Sequence, residues 1–295
     1  PIKVYKIISK HKLLSLHLMV LILGFTGIFG KLISLNTIEL VWYRMLIAFI
    51  TLLSLLFFKK ELTKIKKKDF IALLFVGSLV SIHWFFFFES IKVSNVSVAV
   101  VCLSTASFFS AIIEPIFLKR KAKIYEYILG IVVFITLFIM LEADIKYKMG
   151  YIYGIAASFL GTLFTLYNAR YINKIDASKI TMVEMLSGVI IFSIIMLFNN
   201  DIKVSNLIIN INDFVYLLIL GTLCTAAVFV WMVEIMKYIS PYSLIMAINL
   251  EPIYSIILAI LIFSESEHMN LSFYVGATVI IFVVFLESYL KNKIN

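Results

Sequence analysis

The chain has 295 residues, of which 62% are hydrophobic and 15% charged, and a formal net charge of +9. A soluble domain carries about 45–50% apolar and about 25% charged residues, so this composition excludes a soluble fold and identifies a polytopic, all-α integral membrane protein. The positive charge does not point to nucleic acid, because the basic residues lie in short runs between apolar segments, as membrane topology imposes.

A bilayer-crossing helix needs about 20 apolar residues. Ten spans satisfy that, at about 13–33, 39–58, 70–91, 96–118, 125–141, 150–170, 180–198, 213–236, 242–263 and 271–290. The first span is full length and lacks a small-residue cleavage pattern, so it reads as a retained helix rather than a signal peptide. The longest connection, 199–212, has room for an interfacial turn. With the N-terminus in the cytoplasm, 20 of the 26 basic residues fall on the inner side. They include Lys3, Lys6, Lys10, Lys12, the run KKELTKIKKKD at 59–69, Lys119, Arg120, Lys291 and Lys293. Five, namely Lys31, Lys92, Lys146, Lys148 and Lys203, fall outside. This asymmetry predicts both termini in the cytoplasm.

The second span holds Arg44, about two turns from its outer end. Three roles fit it: gate residue, anion anchor, or an anchor that snorkels to the interface. The third span carries Ile82-His83-Trp84 followed by four Phe. His83 and Trp84 are candidate cavity residues, as is Trp231 in the eighth span, against the plainer reading of ordinary packing. In the sixth, Gly154, Ser158, Gly161, Thr165 and Asn168 recur at spacing four and three, a small polar face for tight packing or cavity lining. Glu89, Glu114 and Glu234 lie near enough to span ends to snorkel. Glu184 occupies in the seventh span the place of Arg44 in the second.

The ninth span, YSLIMAINLEPIYSIILAILIF, has Glu251 about 14 Å from its nearer end at ~1.5 Å per residue. That depth is beyond snorkelling and marks a site candidate. Pro252 lacks an N–H, so the carbonyl of Ile248 loses its helical donor and a kink is expected, with Pro252 as hinge. Ser243, Ala247, Glu251, Ser255 and Ala259 follow at spacing four and put the carboxyl on a small, polar stripe. The competing reading is a structural carboxyl beside a proline kink.

The chain repeats. Gly130 answers to Gly276 at an offset of 146, Asn95 to Pro241 at the same offset, and Gly77 to Gly221 at 144. Pairing Glu114 with Glu251, at 137, breaks the other matches, so Thr105 is expected opposite Glu251. Five spans per half put the second half upside down relative to the first, dividing the chain into repeats at 1–145 and 146–295 with a site at their interface.

Several residues carry a family resemblance: Lys237-Tyr238-Ile239-Ser240-Pro241, Pro252, the turn Ser264-Glu265 and Gly276. The chain resembles the drug/metabolite transporter superfamily, specifically its EamA-type members. Glu265 lacks the usual preceding Gly, and in the first half Lys92-Val93-Ser94-Asn95 looks shortened. The resemblance implies an alternating-access transporter with a cavity lined by the first, third, fourth, sixth, eighth and ninth spans. The substrate or proton-binding set expected is Glu251, Ile248, Ser255, Thr105, Arg44, His83, Trp84, Asn168 and Trp231.

Absences narrow the chemistry. There is no P-loop motif and no G-x-S-x-G. No clustered His/Cys/Asp set suggests a metal, and Cys102 and Cys224 lie inside apolar segments. The expectation is a secondary transporter of the cytoplasmic membrane, without cofactor or catalytic residue, working as a monomer or homodimer. Its partners would be the lipid bilayer, a small solute and, as a further candidate, protons. Export of amino acids or related amines is the first reading. Efflux of lipophilic cations is the second, and an intramembrane enzyme or lipid-handling protein the third.

Overall fold

A computed structural model describes residues 12–62, 64–119, 121, 123–143, 145–198 and 209–294. Lys3, Lys6, Lys10, Arg120, Lys203 and most of the 199–212 connection lie outside the described residues, as do the side chains of Glu265, Lys291 and Lys293. Among the described residues every regular element is a helix, and nine spans are long and apolar enough to cross a membrane. The tenth span, Leu271–Ile294, contributes a shorter apolar run, Leu271–Leu286. Helices satisfy their backbone polar groups internally, as a hydrocarbon solvent requires.

In the first half the spans are Lys12–Leu32, Thr37–Phe58, Lys67–Val93, a fourth in two pieces, Val96–Leu103 and Ala106–Leu118, and Ile124–Ala143. The second half has Lys148–Asn168, Ala177–Phe198, an eighth running Ile211–Gly221, Thr222–Ala227 and Val228–Ile235, and a ninth again in two pieces, Pro241–Ile248 and Glu251–Phe263. Side-chain caps start several of them. Asn36, Asn95, Asn210 and Ser240 each accept from the N–H three residues on, which satisfies a donor that a helix start leaves free.

The two broken spans correct the expected repeat register. Val96–Leu103 answers to Pro241–Ile248 and Ala106–Leu118 to Glu251–Phe263, element for element, at an offset of 145. Ala106, not Thr105, is therefore the counterpart of Glu251, and the capping Asn95 answers to the capping Ser240, so Lys92-Val93-Ser94-Asn95 is not shortened. The offset of 144 at Gly77 and Gly221 also stands. Between that pair and the breaks, Thr222–Ala227 winds as a π-helix, and a single π turn accommodates one extra residue within a helix.

The ninth span is also not one kinked helix. It stops at Ile248, passes through Asn249 and Leu250, and restarts at Glu251. Leu250 N–H bonds to Ala247 O at 3.1 Å and Ile253 N–H to Leu250 O at 3.1 Å, the i→i−3 pattern of a tightened turn. The fourth span breaks in the same way at Ser104 and Thr105, whose N–H groups bond to Val101 O and Cys102 O at 3.1 Å each. No proline lies at that break, since Pro115 sits well inside Ala106–Leu118. Pro252 is near the start of its half-helix, where a missing N–H costs little.

Packing follows the same symmetry. A side chain at Gly77 of the third span would strike the backbone of Glu184 in the seventh, and one at Gly221 of the eighth would crowd the backbone of Arg44 in the second. Gly24 of the first span lies against Tyr254 and Ser255 of the ninth, while Gly154 of the sixth lies against Cys102 of the fourth. Each contact between halves is matched by the contact that exchanging the halves produces. With five spans each, that exchange inverts one half relative to the other.

One end of the bundle is stapled by polar contacts between spans. Lys31 pairs with the fully buried Glu267 at 2.7 Å, and Glu267 also accepts from the N–H groups of Val96 and Ser97. Ser34 donates from both N–H and hydroxyl to Asp213, and Lys92 to the carbonyl of Leu35. At the opposite end the ion pairs are local, Lys179 with Asp176 and Lys237 with Glu234.

Candidate functional site

Between the halves lies a cavity of about 90 Å³, room for several waters or a small solute part. It straddles the axis relating the repeats. Trp84 and Phe229, Leu103 and Ile248, and Ala106 and Glu251 all line it, and each is a pair at offset 145. Leu23, Ser158, Gly161, Phe164, Thr165, Cys224, Met232 and Ile245 complete the wall with Arg44 and His83. The first, third, fourth, sixth, eighth and ninth spans all contribute, as expected. The second span contributes too, through Arg44.

Arg44 is 1% exposed. Its guanidinium stacks 3.8 Å from the Trp84 ring centroid, with Phe88 at 5.3 Å, and its Nε donates to the Thr225 hydroxyl at 2.6 Å. That geometry removes the snorkelling role, because the charge turns inward. Thr225 is held by the π segment, where its hydroxyl donates to the carbonyl of Leu220, five residues back, at 2.6 Å. The extra residue of the eighth span thus aims the group that holds Arg44. Desolvating a guanidinium costs several kcal/mol, while a buried cation–π contact returns about 2 kcal/mol and a charged hydrogen bond about 1.5–3 kcal/mol. Nη1 has no hydrogen-bond partner among the described residues, so the site holds donor capacity for an anionic group.

Glu251 is buried at the start of its half-helix and faces the cavity. No hydrogen bond or ion pair within the described residues engages its carboxyl. The cavity therefore holds a cation and a carboxyl that are not paired with each other, among mostly apolar walls.

His83 contacts the carbonyl oxygen of Ala157 through Nδ1 at 2.7 Å. A carbonyl only accepts, so Nδ1 carries the proton and Nε2 is the acceptor of the neutral ring. Phe164 meets the imidazole edge-on at 5.3 Å, and Gly161 leaves it room, since a Cβ there would lie 3.3 Å from the ring. Trp84 also meets Phe229 edge-on at 5.5 Å.

The structure thus brings Glu251, Ile248, Arg44, His83 and Trp84 together. Four other expected residues stand apart from the cavity wall. The Ser255 hydroxyl donates to the carbonyl of Gly24 at 3.2 Å and ties the ninth span to the first. Thr105 bonds back to Cys102 O at 2.6 Å within the break. The Trp231 indole N–H donates to Ser15 at 3.0 Å, and Asn168 is fully buried beside Glu184. Of the carboxyls expected to snorkel, Glu114 and Glu234 are instead buried, Glu114 accepting from Ser110 at 3.3 Å and Glu234 pairing with Lys237 at 2.8 Å. Phe164, Phe229, Cys224 and Met232 were not singled out by the sequence. As apolar residues in apolar helices they carry no signal there, although Phe229 is reachable from Trp84 once the offset is known.

No curated protein matches this chain. A solved structure, described only as the crystal structure of a protein, is similar to it with a TM-score of 0.69 at 12% identity, over 94% of this chain and 96% of that one. At that identity the likeness shows the fold alone. The model of the EamA-like transporter family matches residues 12–142 and again 148–289. Two copies of that model cover nearly the whole sequence, and the chain belongs to the EamA-like transporter family, as a membrane transporter of the drug/metabolite type.

Proposed function

We propose that the cavity binds one small zwitterionic metabolite, an amino acid or a related amine, and that the protein exports it across the cytoplasmic membrane by alternating access of its two halves. One observation carries this reading: Arg44 and Glu251 line the same small cavity without pairing. A guanidinium with a free edge suits a carboxylate, and a carboxyl suits an ammonium group or a relayed proton. Trp84, Phe164 and Phe229 offer apolar surface to the rest of the solute. Efflux of lipophilic cations accounts for the aromatic wall and Glu251, but it leaves a buried guanidinium beside a cationic cargo, a like-charge contact that selects against it.

The distribution of basic residues supports cytoplasmic termini. In that orientation the stapled end, with Lys31 and Glu267, is external, and the opposite end, where Trp231 bonds to Ser15, is cytoplasmic. The repeats meet near residue 145, between Ala143 and the short turn Ile145–Tyr147.

The test is a thermal-shift screen of the detergent-purified protein, because a ligand that binds the native state raises its apparent stability. Amino acids are expected to raise the unfolding midpoint more than amines lacking the carboxylate or acids lacking the amine. Stabilisation by lipophilic cations alone would replace this reading with the efflux one.

A further inference from the structure

Outside the cavity a second group of polar atoms is buried with few partners. Glu184 Oε1 and Oε2, Thr181 Oγ1 and both amide atoms of Asn168 make no well-aligned hydrogen bond among the described residues, Asn168 being the side-chain neighbour that approaches the Glu184 carboxyl, and all three residues are 0% exposed. Thr181 and Glu184 are one turn apart on the seventh span and share a face. Asn168, at the end of the sixth span, places its amide beside the Glu184 carboxyl. Thr165, one turn before Asn168, lines the cavity, so the group lies about 5 Å of helix rise from it.

A buried carboxylate without a counter-charge is among the costliest groups a protein holds. Among the described residues no ion pair engages it. Arg44 of the second is turned to Trp84 and Thr225, His83 of the third to Ala157, and Glu234 of the eighth to Lys237. The acceptors on offer are all oxygen: two from a carboxylate, one amide carbonyl and one hydroxyl. Oxygen-only sets suit hard cations, and a single negative charge balances a single positive one.

We propose that Glu184, Asn168 and Thr181 form a binding site for one monovalent cation, a proton or Na⁺, separate from the solute cavity. As a proton site, the neutral carboxyl donates to the Asn168 carbonyl. As a Na⁺ site, the carboxylate, amide and hydroxyl oxygens supply ligands. Either cation neutralises the seventh span where its backbone packs on Gly77 of the third, the span that also carries His83 and Trp84. Glu184 holds in its repeat the position that Arg44 holds in the other, at an offset of 140 in spans of equal length. The first half thus places a fixed cation where the second half places a group that takes up a mobile one.

The test needs no solute. Purified protein is unfolded thermally in NaCl and in choline chloride at equal ionic strength, and infrared difference spectra between acidic and alkaline buffer report protonated carboxyl groups. A Na⁺ site gives a Na⁺-specific rise in midpoint that Glu184→Gln abolishes and Glu251→Gln keeps. A proton site gives no Na⁺ effect but a buried carboxylic-acid band that Glu184→Gln removes. Should Glu184→Gln fail to fold, Asn168→Leu and Thr181→Val retain the carboxyl and are expected to weaken Na⁺ affinity about tenfold or to displace the band. A Glu184→Gln protein matching wild type in both measurements, or the two partner variants matching it where Glu184→Gln does not fold, overturns the proposal. Because the readouts are cation-specific, that failure is independent of any failure of Arg44 or Glu251 to bind a zwitterion.

Discussion

The fourth and ninth spans are the same device built twice. Each has an eight-residue half-helix, a two-residue break with i→i−3 bonds, and a 13-residue half-helix. Each even leaves a polar side-chain atom at the break without a hydrogen-bond partner among the described residues, the hydroxyl of Ser104 and the amide nitrogen of Asn249. The chemistry at the cavity differs: the first residue after the break is Ala106 in one and Glu251 in the other. A shared shape belongs to the scaffold. A charge at the break of only one copy does not follow from the scaffold, and it is there that the proposed function places the engagement of the solute or a proton.

The sharpest way to break this comparison is Glu251→Gln, which leaves the residue after the ninth span's break as uncharged as Ala106 after the fourth's, while keeping its shape. Transport by reconstituted vesicles is expected to fall on the order of a hundredfold, the scale of a lost proton-transfer group, with the unfolding midpoint unchanged. Its pH dependence should flatten, because the one titratable group on that wall of the cavity is gone. Transport at the wild-type rate with an unaltered pH profile would return Glu251 to the scaffold.

Arg44 comes next. It tests the other asymmetry, a cation in the second span where the seventh has Glu184. Arg44→Lys keeps the charge but loses the planar fork and most of the stacking on Trp84. Solute affinity is expected to drop about tenfold, the size of one charge-assisted hydrogen bond, and further in Arg44→Gln. Equal affinity in wild type and Arg44→Lys would leave Arg44 as a structural cation held by Thr225.

How far the sequence discloses such a site depends on which residues violate its pattern. Glu251, Arg44, His83 and Trp84 stand out because charge or polar aromatic character inside an apolar run is costly, and all four reach the cavity. The same rule selects Asn168 and Trp231 but cannot give their rotation about the helix axis, which packing decides. Trp231 turns to Ser15 and Asn168 to Glu184. The ten spans and the two repeats are legible because each needs a long apolar run. The pairing of Thr105 with Glu251 misses by one residue because Gly130 and Gly276 carry the extra residue of an intervening turn and the cap Asn95 pairs with Ser240 rather than with Pro241, the first residue of the half-helix. A π turn inside an apolar helix leaves no mark on hydropathy, and Thr225, which depends on it, is invisible for the same reason.

Pro252→Ala is expected to have the smallest effect, and for a reason the comparison supplies. A proline deep in a continuous helix removes one hydrogen bond and clashes with the carbonyl four residues back, at about 3 kcal/mol. Replacing it there would straighten the helix and stabilise it. The fourth span, however, breaks at Ser104 and Thr105 with no proline at the break, and Pro252 sits at the start of Glu251–Phe263, where the absent N–H has no helical partner to lose. The break is then set by packing around the axis, and alanine leaves it in place. Transport is expected to stay within about twofold and stability within about 1 kcal/mol, as for a substitution that removes no packing or hydrogen bond. The measurements are vesicle transport and the unfolding midpoint, taken beside Glu251→Gln. A loss comparable to that of Glu251→Gln would mean that the N–H gained with the alanine now bonds to Ile248 O and closes the break. In that case the ninth span depends on its proline where the fourth depends on none, and the two would be different devices that share only a shape.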